Sequence, residues 1–266
     1  MKKIKDKIVG ILTSTLFKAT VVMVVLFTVI GFAEKQQDER VCKNIIINIE
    51  EEYDNYFIDE KDVRDLLTMN NREPLIGRSY ALIKLKELEK RVKKNKLVET
   101  AEVYRDIHGD LHVQLKQRRP IARIITKLNG SWYISDQGKV FPTSDKFTAR
   151  VPIIDGDYAY KLINTKFATD SMQAELFTML EIIDKDEFLK ALIAEIHIDI
   201  ASVNDTTPQV TIYPQIGEQI ITYGGFDQPI SKLKKIKVAY KDILPLKGWA
   251  TYKSISVAFK DQIICE

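Results

Sequence analysis

Three histidines and one acidic run are the side chains in this 266-residue chain that are suited to metal binding or acid–base chemistry. His108 and His112 flank a turn, and His197 lies on the polar face of a predicted strand. A metal site needs further convergent ligands in suitable geometry. The run Glu50-Glu51-Glu52 follows a predicted strand and is typical of a solvated strand end. We therefore expect solvated histidines, no metal site and no cofactor.

Common catalytic motifs are missing from the sequence. It has no Gly-x-Ser-x-Gly motif, no phosphate-cradling glycine loop and no Cys-x-x-Cys pair. We predict no catalytic residues, no small-molecule substrate and hence no enzyme. Two cysteines, Cys42 and Cys265, do not make a disulfide framework. Free thiols are favoured, and an incidental bond stays open.

Charge excludes a nucleic-acid-binding class. Lys and Arg number 40 against 37 Asp and Glu, which gives a net charge of +3. Nucleic-acid binding requires a clustered basic face. The densest basic run, Lys90–Lys96, is expected to be the solvated side of a helix.

An apolar run near the N-terminus predicts contact with a membrane. It extends from Ala19 to Ala33 and follows Lys2, Lys3, Lys5 and Lys7. Adding Leu16 and Phe17 brings it close to the roughly 20 helical residues that span a bilayer. Because basic residues stay on the cytoplasmic side, we predict a cytoplasmic tail (1–15), a transmembrane signal-anchor (16–33), a linker (34–41) and an extracytoplasmic remainder.

A cleavable signal peptide is the alternative to an anchor. A basic start, a short apolar run and the small-x-small ending Gly31-Phe32-Ala33 also fit it. This stretch alone favours neither reading, and both place the later residues across the membrane.

Residues 42–120 predict a small module of strand, helix, helix, strand, strand. Val63, Leu66 and Leu67 share one face of a helix that begins near Asp59. The predicted elements are a strand at 43–49, helices after 59 and over 78–95 (apolar stripe Leu82, Leu85, Leu88, Val92), and a hairpin of strands near 101–104 and 111–116 around the turn 108–110. Two helices covering one face of such a sheet would bury a common core.

Residues 121–266 predict a mainly antiparallel β domain with flanking helices. The expected strands are 121–126, 131–135, 139–141, 195–200, 210–212, 219–223 and one long terminal strand, 252–264. Helices are expected from Asp170 or Ser171 to Ile183 and from Asp227 to Leu244. The predicted fold class is therefore α+β, with a single N-terminal transmembrane helix.

Several motifs resemble the bacterial cell-division family FtsQ/DivIB, whose members carry a POTRA domain before a C-terminal β domain. The stretch "VETAEVYRDIHGDLHVQLKQRRPIARI", 98–124, contains the matching residues Val98, Ala101, Val103, Arg105, Leu111, Val113, Leu115, Pro120 and Ala122. "WYISDQGKVF", 132–141, and "KGWATYKSISVAFKDQIIC", 247–265, resemble the start and end of the family's β domain. Gln117 replaces the usual Glu, and Ile107-His108 replaces Trp-Pro.

The resemblance implies a non-enzymatic scaffold of the division complex. It implies an uncleaved anchor in the inner membrane, a periplasmic bulk, enrichment at the septum, and FtsB-like and FtsL-like partners. Partner binding by β-augmentation is expected at the residues of the last strand, Ser256, Val257, Ala258, Phe259, Lys260, Asp261, Gln262 and Ile263. A second docking surface is expected on the POTRA-like module at Asn44, Ile45, Ile46 and Ile47.

Two other functions remain open from the sequence. One is another POTRA-bearing envelope assembly or secretion factor. The other is a secreted periplasmic binding module, which would require cleavage of the N-terminal run.

Overall fold

The computed structural model describes residues 19–29, 31, 40–50, 56–163, 167, 171–202 and 205–266. They form two compact units. The first comprises the described residues within Met1–Ile49, with Glu60–Lys94 and Ala101–Leu115; the second comprises those within Glu50–Asp59, Asn95–Thr100 and Lys116–Glu266.

The N-terminal apolar run contains a helix, α1, over residues 19–29. No helix within the described residues combines the length and the apolar character that crossing a bilayer requires. Residues 16–18, 30, 32 and 33 of the predicted anchor lie outside the described residues, as do the tail and residues 34–39 of the linker. The anchor and its orientation therefore stay predictions.

The first unit has the predicted order of elements. They are β1 (Ile45–Glu50), α2 (Glu60–Thr68), α3 (Leu85–Lys93), β2 (Val98–Arg105) and β3 (Leu111–Gln117), and the sheet order is β1-β3-β2. Period-two alternation places Leu111, Val113 and Leu115 on the buried face. In the helices, Val63 with Leu67 and Leu88 with Val92 lie four residues apart and are also buried.

The second predicted helix of this unit, 78–95, is wrong as one element. A single 3-10 turn, Tyr80–Leu82, precedes α3. The Ser79 hydroxyl accepts a hydrogen bond from the Ala81 N–H and thereby caps this turn. Leu82, predicted to be buried, is consequently exposed.

The second unit is built on one nine-stranded mixed sheet. Its order is β12-β11-β10-β9-β8-β7-β4-β5-β6. The strands are β4 (Pro120–Thr126), β5 (Gly130–Ser135), β6 (Val140–Pro142), β7 (Ile153–Asp155), β8 (Ile193–Ser202), β9 (Asp205–Pro214), β10 (Ile220–Gly224), β11 (Ser254–Ser256) and β12 (Ile264–Cys265). Most neighbouring pairs are antiparallel, while β7 runs parallel to both β4 and β8.

Helices supply the other half of the main core of this unit. They are α4 (Ala159–Leu162), α5 (Ser171–Lys185), α6 (Glu187–Leu192), α7 (Pro229–Val238) and α8 (Leu244–Lys247), with a π turn at Ala239–Ile243 joining the last two. Leu176, Leu180 and Ile183 of α5 pack with Ile196 and Ile212 of the sheet in one hydrophobic cluster. The sequence did not predict β7, α4 or α6, because each is short.

A second, aromatic cluster lies in the same unit. Phe57 is 1% exposed, and its ring centroid is 5.4 Å from those of Tyr133 and Phe147 and 6.1 Å from that of Phe141. The backbone beside it is also tied, since Ile58 N–H donates to Gln117 Oε1 at 3.0 Å. The side-chain amide of Gln117, the residue that replaces the usual Glu, therefore stabilises the backbone at Ile58.

Candidate partner-binding site at the C-terminal edge

The predicted terminal strand, 252–264, is wrong as one continuous element. It consists of the two short strands β11 and β12, joined by a turn in which Asp261 has φ +55°. Positive φ is the left-handed region, which a continuous strand excludes. The chain therefore folds back on itself and forms its own antiparallel pair.

Strand β11 has neighbours on both sides. It is parallel to β10, with Ile221 opposite Ile255, and antiparallel to β12, with Cys265 opposite Ile255. Because both edges of β11 are already hydrogen-bonded, a partner chain has no place to add there. The edge strand on this side of the sheet is β12.

The outward direction of the β12 backbone follows from its hydrogen bonds. Ser254 and Glu266 exchange both backbone bonds, at 2.9 and 3.0 Å. In an antiparallel pair, hydrogen-bonded and non-hydrogen-bonded residues alternate. The N–H and C=O of Cys265, the next residue, therefore point away from β11, toward the end of the sheet.

The predicted partner-binding residues have different environments. Ser256 ends β11, and Val257 is fully buried with its N–H donating to Thr222 O at 3.0 Å. Phe259 is 55% exposed. The remaining members form the turn: Ala258 and Ile263 are half-buried, while Lys260, Asp261 and Gln262 are exposed.

A lysine of α7 holds this turn in place. Lys235 Nζ donates to Val257 O at 2.8 Å and to Phe259 O. Burial, followed by the charge of Lys232, holds the pKa of Lys235 below its ordinary value. Lys232 itself donates to Asp227 Oδ1 at 2.8 Å, and its side chain is 3% exposed.

Beside this edge, α7 also borders a cavity of about 380 Å³. Its apolar wall includes Leu189 and Leu233, and its rim includes Lys234, Lys237 and Lys241. Lys237 pairs with Asp186, and Lys241 lies 4.6 Å from the centre of the Phe188 ring. Two of these three lysines are therefore engaged within the unit.

The predicted docking surface on the first unit lies at a sheet edge. Strand β1 ends the order β1-β3-β2, and Ile46 is 43% exposed while Ile45 is buried. Asn44 precedes the strand, and its Nδ2 donates to Asp110 Oδ1 at 2.9 Å. Ile47 is half-buried. These positions suit an edge contact, and their role stays a prediction.

A charged cluster on the sheet was missed by the sequence analysis. His197 Nδ1 lies 2.7 Å from Asp155 Oδ1, and His197 Nε2 lies 2.9 Å from Asp199 Oδ2. Partial burial would lower the pKa of His197, but the bonds to both aspartates outweigh it and raise the pKa. Burial, then the charge of Asp155, raises the pKa of Glu195. The expectation of a solvated His197 is therefore wrong. It failed because Asp155, one of the two partners of His197, lies on a three-residue strand that the sequence does not predict.

Of the other two histidines, His108 is solvated as expected and His112 is not. His112 is half-buried, stacks on Tyr104 with centroids 5.1 Å apart, and lies 3.3 Å from Asp106. His108 is exposed in the turn. Cys42 and Cys265 are both free thiols, as the sequence favoured.

The chain consists of a small βααββ module followed in sequence by a unit built on a large mixed sheet. Comparison with protein families agrees with this division. A POTRA-like domain model matches residues 40–116, and a model described as FtsQ/DivIB, C-terminal related, matches residues 119–266. Because the second match covers more than half of the chain, the chain belongs to the FtsQ/DivIB-related family. Comparison with curated proteins gives no match. The resemblance drawn from the motifs is thus confirmed.

Proposed function

We propose that this chain is a membrane-anchored, non-enzymatic scaffold of the bacterial division complex, and that it binds an extended partner segment at β12. Its FtsQ/DivIB-related family supports the division role. The outward N–H and C=O of Cys265 carry the proposed mode of binding, because an unpaired sheet edge is the template for β-augmentation.

The proposed partner is an FtsB-like protein, with an FtsL-like protein bound to it. Its segment lies along β12, and Phe259 and the half-buried Ile263 provide the apolar contacts next to the edge. Lys235 preorganises these contacts, since it fixes the carbonyls of Val257 and Phe259 before the partner arrives. The site therefore differs from the predicted ribbon 256–263: those residues frame the edge, and β12 provides it.

The proposed anchor is residues 16–33, uncleaved, in the inner membrane. Residues 1–15 would then be cytoplasmic, and the two units periplasmic and enriched at the septum. The basic N-terminal residues support this orientation. Within α1, Val21, Val24 and Phe27 are exposed, as suits a lipid-facing helix. The edge of β1 at Asn44–Ile47 is proposed as a second docking surface for membrane-proximal proteins.

The deciding experiment is the pair Cys265→Pro and Cys265→Ala, measured by co-purification with the FtsB-like partner. Proline removes only an outward N–H, so the β11–β12 ladder is retained. We expect Cys265→Pro to lose most of the partner and Cys265→Ala to keep it. Equal binding by the two variants, with both folded, would refute augmentation at β12.

Phe259→Asp tests the apolar contact beside the edge. Because the ring is 55% exposed, the charge should leave folding intact while desolvation of the carboxylate weakens partner binding by at least about tenfold. Gln262→Asp, at an exposed position of the same turn, adds the same single negative charge and is the matched control for charge alone. An undiminished yield of partner with Phe259→Asp would remove this residue from the interface.

A further inference from the structure

Strand register brings three donor groups together on one face of the large sheet. Along β8, Ile196 and Ile198 are buried, so Glu195, His197 and Asp199 share the opposite face. The parallel neighbour β7 places Asp155 beside His197 and Ile153 beside Glu195. Ligand atoms of Asp155, Glu195 and His197 consequently lie within 4.8 Å of one another, and all three residues are half-buried.

Asp199 orients the imidazole in this group. Its Oδ2 is 2.9 Å from His197 Nε2, and its Oδ1 accepts the Asp157 N–H at 3.2 Å. A carboxylate on one imidazole nitrogen is the arrangement that fixes a metal-binding histidine and makes its other nitrogen the ligand. That other nitrogen, Nδ1, is the one directed at Asp155.

Solvent access is present on the same face. A cavity of about 570 Å³ is lined by Asp155, His197 and Asp199 and bordered by the β4–β5 turn around Leu128. Leu128 itself is 95% exposed. An ion therefore has a path to Asp155 and His197 that requires no opening of the core.

We propose that Asp155, Glu195 and His197 Nδ1 form a binding site for a divalent transition-metal ion of the zinc class, with Asp199 as the residue that orients His197. Mixed imidazole and carboxylate donors suit such an ion. At bond lengths near 2.0–2.2 Å, tetrahedral ligand atoms are about 3.4 Å apart. Asp155 and Asp199 each accept a hydrogen bond from the imidazole, so Nδ1 carries a proton, which the incoming ion displaces to solvent. The contact between Asp155 and Nδ1 then opens slightly to reach this spacing, and the Glu195 carboxylate moves inward.

The bound ion would tie β7 to β8 on the solvent face. Its positive charge would also offset the repulsion between the carboxylates of Asp155 and Glu195, whose ligand atoms lie within 4.8 Å of each other. The site is independent of the partner-binding edge, so each can fail without the other.

Calorimetric titration of the full-length protein in detergent with Zn²⁺ tests the site. We expect one ion per chain, affinity lowered at least tenfold by Glu195→Gln, and a loss of about 10–100-fold with Asp199→Asn, which removes the orienting charge but no ligand. Asp157→Asn, a carboxylate lining the same cavity, is the control for general electrostatic attraction and should change affinity less than twofold. Tryptophan fluorescence checks folding, and Asp155→Asn replaces any variant that unfolds.

Co²⁺ absorption distinguishes this site from the two cysteines, because thiolate ligands give charge-transfer bands that nitrogen and oxygen donors do not. Tetrahedral d–d bands without such bands support the proposal. Absence of one-to-one binding, thiolate bands, or equal losses in Glu195→Gln and Asp157→Asn would overturn it.

Discussion

Replacing Phe57 by Ala tests whether the segment before α2 is part of the core of the second unit. Phe57 is distant in sequence from the strands that its ring contacts, and it is 1% exposed. A ring that closes a cluster with Tyr133, Phe141 and Phe147 leaves a cavity when it is removed.

The magnitude follows from burial. A buried Phe→Ala change costs about 3–5 kcal/mol. For a unit of this size, each kcal/mol lowers the Tm by about 2–4 °C, so we expect a decrease of roughly 6–20 °C. The neighbouring backbone bond from Ile58 to Gln117 is retained, which keeps the loss within this range.

Intrinsic fluorescence in a urea titration is the assay, using a chain that begins at Arg40. Both tryptophans, Trp132 and Trp249, lie in the second unit, so the signal reports the unfolding of that unit. Leu246→Ala is the matched control: Leu246 is 85% exposed, and its loss should change the free energy of unfolding by less than about 0.5 kcal/mol. If Phe57→Ala cost no more than about 1 kcal/mol, the segment would not belong to this core.

Two further predictions concern the same unit. Gly156 has φ +95°, and a Cβ there would lie 2.3 Å from Ile198 O, so Gly156→Ala should lower the free energy of unfolding in urea by about 2–5 kcal/mol. The control is Gly130→Ala, at φ +71° with no atom within 4 Å of its Cβ, which should cost only about 1–2 kcal/mol. Equal costs for the two variants would contradict the proposed clash. Burial raises the pKa of Asp184, but hydrogen bonds, first from Arg119, outweigh this and leave the pKa below its ordinary value. A carboxyl group whose pKa is lower in the folded than in the unfolded state stabilises the fold at any pH above its unfolded pKa, and this stabilisation is lost as the pH falls through its folded pKa. Asp184→Asn should therefore cost about 1–3 kcal/mol at pH 7 and progressively less below about pH 4. A cost that did not change between pH 7 and pH 2 would exclude this linkage.

Local patterns were sufficient for most elements and for the family. Period-two alternation in 111–116 and 195–200 and the four-residue spacings in α2 and α5 correctly predicted strands and helices, because burial of one face imposes those periods. The sequence likewise predicted the order of elements in the first unit, and the motifs between 98 and 141 indicated the family. Alternation could not show the break at Asp261, because a two-residue strand and a turn leave the same mixture of apolar and polar residues as one long strand.

Tertiary structure decided which residues meet. The sequence gives no sign that Phe57 packs with Tyr133, since burial of an aromatic ring leaves no periodic signal in a short segment. It also leaves Asp155 and His197 unrelated, because parallel pairing joins strands that are distant in the chain. Periodicity therefore determined the elements of this protein, and its motifs indicated the family. The outward-facing backbone at Cys265 and the Asp155–Glu195–His197 group depend instead on strand order and register, which only long-range hydrogen bonds establish.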